Sequence, residues 1–95
     1  MNNYELTVIL KNKDTENLID TTKGILNKYG ITIVKDESPG IKKLAYDIDG
    51  EGEGYYLFLI LEAPAESVTK VISDFRLNHN ILRYLFVKMK KAQTA

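Results

Sequence analysis

Residues 75–95 hold Arg76, Arg83, Lys88, Lys90 and Lys91 and no acid. Residues 1–74 hold all 13 acids and the remaining eight bases, so a basic end is attached to an acidic body although the net charge is zero. Cations grouped in this way contact phosphates and position a nucleic acid without reading its sequence. A second group, the adjacent pair Lys42 and Lys43, falls in the middle of the chain. Two plainer readings stay open beside phosphate contact. Lysine on an outer strand also blocks unwanted edge pairing, and terminal lysines also serve solubility.

Other chemistry is scarce. His79 is the only histidine, set between Asn78 and Asn80, and reads as a solvated turn residue. No cysteine is present to join it in a metal site. Ser38, Ser67 and Ser73 have no histidine at a suggestive spacing. Asp47, Asp49, Glu51 and Glu53 are interleaved with glycines and lack the helix-flanked D-x-D-x-D-G frame of a calcium loop. The chain therefore offers no catalytic residue, no metal ligand set and no expected cofactor.

Ninety-five residues, 44% of them hydrophobic and 27% charged, suit one soluble domain spanning 1–95. No apolar run approaches the roughly 20 residues of a membrane helix. The start, Met1-Asn2-Asn3-Tyr4-Glu5, lacks the basic and apolar regions of a secretory signal. A cytoplasmic protein without a membrane partner is the expectation.

The elements that must carry the cations follow from periodicity. Tyr4 to Leu10 alternates as a strand. Asp14 or Thr15 can cap a helix whose stripe is Leu18, Thr22, Ile25, Leu26 and Tyr29, and Gly30 ends it. A second strand starts at Ile31, is interrupted at Ser38-Pro39-Gly40 and resumes from Ile41 to Ile48. Proline cannot donate to a ladder, so an edge position with a bulge is expected there. Asp49-Gly50 opens a hairpin that Gly52 and Gly54 make permissive. Tyr55 to Glu62 is a third strand, apolar on both faces, as a central strand would be. Pro64 begins a second helix with the stripe Val68, Val71, Ile72 and Phe75, and Ile81 to Lys90 is the last strand.

The order βαββαβ specifies an α+β fold, the ferredoxin-like plait: a four-stranded antiparallel sheet with both helices on one face. The other face is left bare. With Leu6, Val8, Tyr56, Phe58, Tyr84 and Phe86 turned to the helices, Ile9, Leu57, Leu59, Leu85 and Val87 point away. Each such side chain, once covered, contributes about 1.5–3 kcal/mol, and monomers rarely leave a contiguous patch of that kind open. Those five, with Tyr46 on the second strand, are the candidate partner-binding residues. Lys42, Lys43, Arg83, Lys88, Lys90 and Lys91 are the candidate phosphate-contacting residues, and so the RNA-binding set if the nucleic acid is RNA. A bulge would shift the parity by one, but some apolar residues remain outward in either register.

Two other families on this topology fit poorly. Acylphosphatases place a phosphate-cradling loop with an arginine after the first strand, where this chain has Lys11-Asn12-Lys13-Asp14-Thr15. The RNA recognition motif needs a basic residue, glycine and two spaced aromatics. Glu53-Gly54-Tyr55-Tyr56-Leu57 puts an acid at the basic position and leucine at the second stacking site.

Gly40-Ile41-Lys42-Lys43-Leu44-Ala45-Tyr46-Asp47-Ile48 resembles the second-strand motif of bacterial small-subunit ribosomal protein six, the S-six family. The likeness extends to Tyr4-Glu5, Tyr29-Gly30, Gly54-Tyr55-Tyr56, Phe75-Arg76-Leu77-Asn78 and Ile81-Leu82-Arg83, in the family's order. It implies a structural, non-enzymatic component of the small ribosomal subunit. It also implies pairing with small-subunit ribosomal protein eighteen and binding to the central domain of small-subunit ribosomal RNA. Three positions depart from the pattern: Asn2 for the usual arginine, Asp47 for the proline after L-A-Y, and His79 for an aspartate. The competing reading is a ligand-binding or regulatory plait that covers its sheet by forming a homodimer. Sedimentation of the isolated chain separates the two, since a heterologous partner implies a monomer in isolation.

Overall fold

The computed structural model describes residues 2–48 and 50–89. Along the chain run β1 (Asn2–Lys11), α1 (Thr15–Lys28), β2 (Thr32–Asp36), β3 (Gly40–Ile48), β4 (Glu51–Ala63), α2 (Ala65–Arg76) and β5 (Ile81–Lys88). They form one antiparallel sheet in the order β2–β4–β1–β5, with β3 also paired to β4. This is the ferredoxin-like α+β plait. The interrupted second strand is two strands laid end to end on the same edge of β4, which makes five strands among the described residues. β4 is longer than its apolar run, because Gly52 and Gly54 belong to the strand and not to the turn.

Local chemistry sets the helix ends. Asp14, the residue before α1, is left-handed (φ 56°) and accepts a hydrogen bond from Asn17 Nδ2 at 2.8 Å instead of capping a backbone N–H. At the other end Gly30 takes φ 75°. Its N–H donates to Asn27 O (3.1 Å), and the Ile31 N–H donates to Leu26 O (3.1 Å). This is the Schellman pattern, which satisfies the last carbonyls of a helix. It also seats Leu26 and Ile31 side by side in the core.

The core lies between the helices and one sheet face. Tyr4, Leu6, Val8 and Leu10 of β1 and Leu57, Leu59, Leu61 and Ala63 of β4 meet Leu18 and Leu26 of α1 and Val71 and Phe75 of α2. The Phe75 ring packs edge-on to Tyr84 at 5.6 Å and against Phe86 at 6.3 Å, docking α2 on β5. Buried Ser67 joins the helices by donating its hydroxyl to Tyr29 O at 2.9 Å. The Tyr29 hydroxyl in turn bonds the Asp74 carboxylate at 3.1 Å.

One sequence expectation is reversed. Residues directly opposite in an antiparallel pair share a face, and β4 pairs Leu59 with Leu6 and Leu57 with Val8. Leu57 and Leu59 therefore point to the helices, at 1% and 0% exposure, and Tyr56, Phe58 and Ile60 point away. On β5 the expectation holds. Tyr84 and Phe86 pair with Val8 and Leu6, which leaves Leu85 and Val87 on the outer face.

The outer face is not wholly bare. The pairing of β1 with β5 shifts between Ile9 and Leu10, where Leu82 is the extra residue on β5. Leu82 is buried with Leu44 and Ile48 of β3, and Ile9 and Tyr56 pack against them. This small second cluster lies on the side of the sheet away from the helices. Gly54 makes it possible, because a Cβ there would stand 2.6 Å from Ile9 Cγ2 and 3.2 Å from the Leu10 carbonyl oxygen. Isoleucine is stiff about its Cα–Cβ bond and cannot swing clear. Gly54→Ala is expected to destabilise the chain by about 1–3 kcal/mol, read from urea unfolding midpoints. Gly52→Ala, with its nearest contact at an ordinary 3.5 Å, is expected to stay within about 0.5 kcal/mol of the parent. Equal losses at the two glycines would contradict this packing.

Candidate nucleic-acid and partner interface

The outer face can be read row by row from the strand pairings. Ile60, Glu5 and Val87 form one row, Phe58, Thr7 and Leu85 the next, and Tyr56, Ile9 and Arg83 a third. Lys42, Gly54 and Lys11 form a fourth, across β3, β4 and β1. Leu85 and Val87 are 60% and 44% exposed, with Phe58 and Ile60 half-buried on the far side of β1. The apolar surface is thus two ridges, on β4 and β5, separated by the polar Glu5 and Thr7 of the central strand.

The sequence-predicted partner residues are divided by this geometry. Leu85 and Val87 are outward and open. Tyr46 is open too, at 68% exposure on β3. Ile9 is outward but half-covered by the second cluster. Leu57 and Leu59 are in the main core, where no partner reaches them. Phe58 and Ile60 take their place. Sequence reasoning missed them because both faces of β4 are apolar, and only the cross-strand register decides between them.

The cations are divided too. Lys42 and Arg83 share the outer face at the end of the sheet where β3 and β4 form their hairpin. Lys43 pairs with Glu53 on the opposite face. Lys88 pairs with Tyr4, so it takes the helix-side parity at the other end of β5. Five residue steps along the strand separate it from Arg83, on the order of 17 Å. Lys90 and Lys91 lie outside the described residues. Arg83 donates from Nη1 to the Leu82 carbonyl at 3.2 Å, and all four described cations are exposed. Among the described residues the ion pairs are Lys23–Asp36, Lys28–Asp74 and Lys35–Glu37, so Lys42, Lys43, Arg83 and Lys88 are not engaged with acids there. His79 is exposed in the turn before β5, and no group of three metal-capable side chains occurs among the described residues. Nor, among them, is any helix long and apolar enough to cross a membrane.

The outer edge is held where β2 gives way to β3. Pro39 has no N–H to offer, and Ser38 substitutes for the broken ladder. Its hydroxyl accepts the Phe58 N–H at 3.0 Å and donates to Asp36 Oδ1 at 2.6 Å. The Ser38 N–H also donates to Asp36 Oδ1 at 3.0 Å, and Lys23 of α1 pairs with Oδ2 at 3.0 Å. The Ser38 hydroxyl bond, with Lys23 assisting, holds the Asp36 carboxyl below its usual range despite partial desolvation. The clasp ties the edge both to β4 and to α1.

Known proteins resemble this chain over most of its length. A family model described as Ribosomal protein S6 matches residues 3–88. Small ribosomal subunit protein bS6 of Phocaeicola vulgatus is 34% identical over 95 residues, covering 96% of this chain and 83% of the relative. The bS6 of Leptospira biflexa is 32% identical over 88 residues, covering 93% of this chain and 97% of the relative. The crystal structure of 30S ribosomal protein S6 from Thermotoga maritima superposes with a TM-score of 0.86, covering 98% of this chain and 92% of that one. At 22% identity, that superposition speaks for the fold alone.

The Asp36 clasp predicts a pH dependence. A carboxyl with a folded pKa below its unfolded value of about 3.9 contributes stability that is fully present above about pH 5. That contribution is withdrawn as pH falls through 3.9 toward the lower folded value. Asp36→Asn is therefore expected to lower the urea midpoint at about pH 6, with the gap to the parent closing toward about pH 2. A gap independent of pH would show that the charge of Asp36 is not what matters.

Proposed function

We propose, from the premise that the chain belongs to the ribosomal protein S6 family and so is a component of the small ribosomal subunit, that it acts there as a non-enzymatic assembly element. The outer sheet face docks small-subunit ribosomal protein eighteen, and the exposed cations touch the phosphates of small-subunit ribosomal RNA in its central domain. Isolated, the chain is a monomer, and it works in the cytoplasm as part of the ribosome.

The observation that carries this reading is the outer face itself. Leu85 and Val87 stand open on β5, with Phe58 and Ile60 across β1, and such a surface gains free energy by being covered. In the partner-binding set, Tyr46, Leu85 and Val87 are joined by Phe58 and Ile60, with Ile9 at the margin. Leu57 and Leu59 are excluded by burial. In the RNA-binding set, Lys42 and Arg83 lead by virtue of their shared face, and Lys43, Lys88, Lys90 and Lys91 remain candidates beside that pair in the reading, without a shared face assigned to them.

Charge decides how the two activities combine. A chain of zero net charge neutralises few phosphates on its own, so its affinity for RNA alone is low. The partner protein supplies most of the neutralisation, and this chain supplies the surface that presents it. A titration of central-domain RNA with the chain alone, the partner alone and the two together tests the reading. Tight, salt-sensitive binding is expected only from the pair. Equal affinity with and without the partner would contradict cooperation between them.

A further inference from the structure

We propose that Lys11 forms, with Lys42, a two-lysine bracket for the RNA sugar–phosphate backbone, spanning Gly54 on the outer sheet face. The inference rests on the reading that this chain contacts RNA, and it adds a residue to that contact from outside both basic groups of the sequence.

The strand register makes the bracket. Gly54 of β4 stands opposite Lys42 on one side and Lys11 on the other, so the two lysines are outward neighbours across a residue with no side chain. Their backbones are two strand spacings apart, about 10 Å, a span on the order of two or three phosphates of one strand. The floor of the gap is apolar, because Ile9 Cγ2 and Leu44 Cδ2 occupy the space above Gly54. Arg83 lies in the adjoining row beside Ile9 and extends the same cationic edge.

The described acids near the bracket leave both lysines unpaired. Glu53 sits on the opposite side of the hairpin with Lys43 and accepts a bond from Asn12 Nδ2 at 3.4 Å. Asp47 lies over Gly52, further toward the hairpin end, and is ion-paired with neither lysine. Lys23, Lys28 and Lys35 are each matched with an acid, whereas no ion pair engages Lys11 or Lys42 among the described residues. Lys11 is also firmly placed. Its N–H donates to Asn80 O at 2.9 Å, where β5 begins, and the residue is half-buried. A half-covered lysine can bury its stem while keeping its charge in water, which suits a phosphate contact.

The test uses the full chain with its partner protein and a central-domain fragment of small-subunit ribosomal RNA. Lys11→Gln and Lys42→Gln are each expected to lower the slope of log affinity against log salt by about 0.7–0.9, and the double substitution by about twice that. Unfolding midpoints should match the parent. An unchanged slope for Lys11→Gln beside a lowered slope for Lys42→Gln would remove Lys11 while leaving the RNA reading intact. Loss of partner-protein binding by Lys11→Gln in the absence of RNA would assign the residue to the protein interface and overturn the bracket. No salt-sensitive RNA binding by the parent complex would sink the RNA reading and the bracket together.

Discussion

The antiparallel pairing of β1 with β4 governs the rest of the molecule. Leu6 stands against Leu59 and Val8 against Leu57, and because side chains alternate with period two, that choice assigns every other residue of both strands to a face. Slipping the register by one would bring Tyr56, Phe58 and Ile60 under the helices and turn Leu57, Leu59 and Leu61 outward. In the observed register Leu57, Leu59 and Leu61 share one core with Leu18 and Leu26 on α1 and Val71 and Phe75 on α2. Each buried side chain of this set is worth about 1.5–3 kcal/mol.

What the register leaves outside is divided along the length of the sheet. At the hairpin end Leu44, Ile48 and Leu82 close over Ile9 and Tyr56, and the chain completes its own surface. At the other end Phe58, Ile60, Leu85 and Val87 have no such cover. The cations Lys11, Lys42 and Arg83 belong to the self-covered end, next to the open apolar ridges and not on top of them. One face can therefore meet a protein and a nucleic acid side by side. The Ser38–Asp36 clasp keeps the β2–β3 edge in line where proline would otherwise let it fray.

Much of this was legible in the residues. The alternation of β1, the stripe of α1 and Gly30 as its terminator could be read directly, because each is a local pattern with a local cause. Leu85 and Val87 lie on the outer face as expected, with Tyr84 and Phe86 packed on Phe75, although β5 is apolar on both faces and its alternation alone does not choose between them. Leu57 and Leu59 lie on the face opposite to the one expected, because β4 too is apolar on both faces and local pattern carries no information about which face is buried. Leu82 was hidden for a related reason: a bulge changes parity, and nothing in Ile81-Leu82-Arg83 marks one. The Ser38 clasp depends on contacts with Lys23, Asp36 and Phe58, and only the folded chain brings Lys23 and Phe58 to it. The protein partner and the RNA proposed above rest on the likeness to the S6 family, since the residues by themselves leave both open.

Only the outer side of the sheet is open to another molecule, since the helices cover the inner one. Methyl-detected NMR of the chain, titrated with small-subunit ribosomal protein eighteen, reads this directly. The methyl signals of Ile60, Leu85 and Val87 should shift on binding, and those of Leu57, Leu59 and Val71 should stay in place. Shifts confined to the helix-side methyls, or none at all under conditions where the two proteins associate, would contradict it.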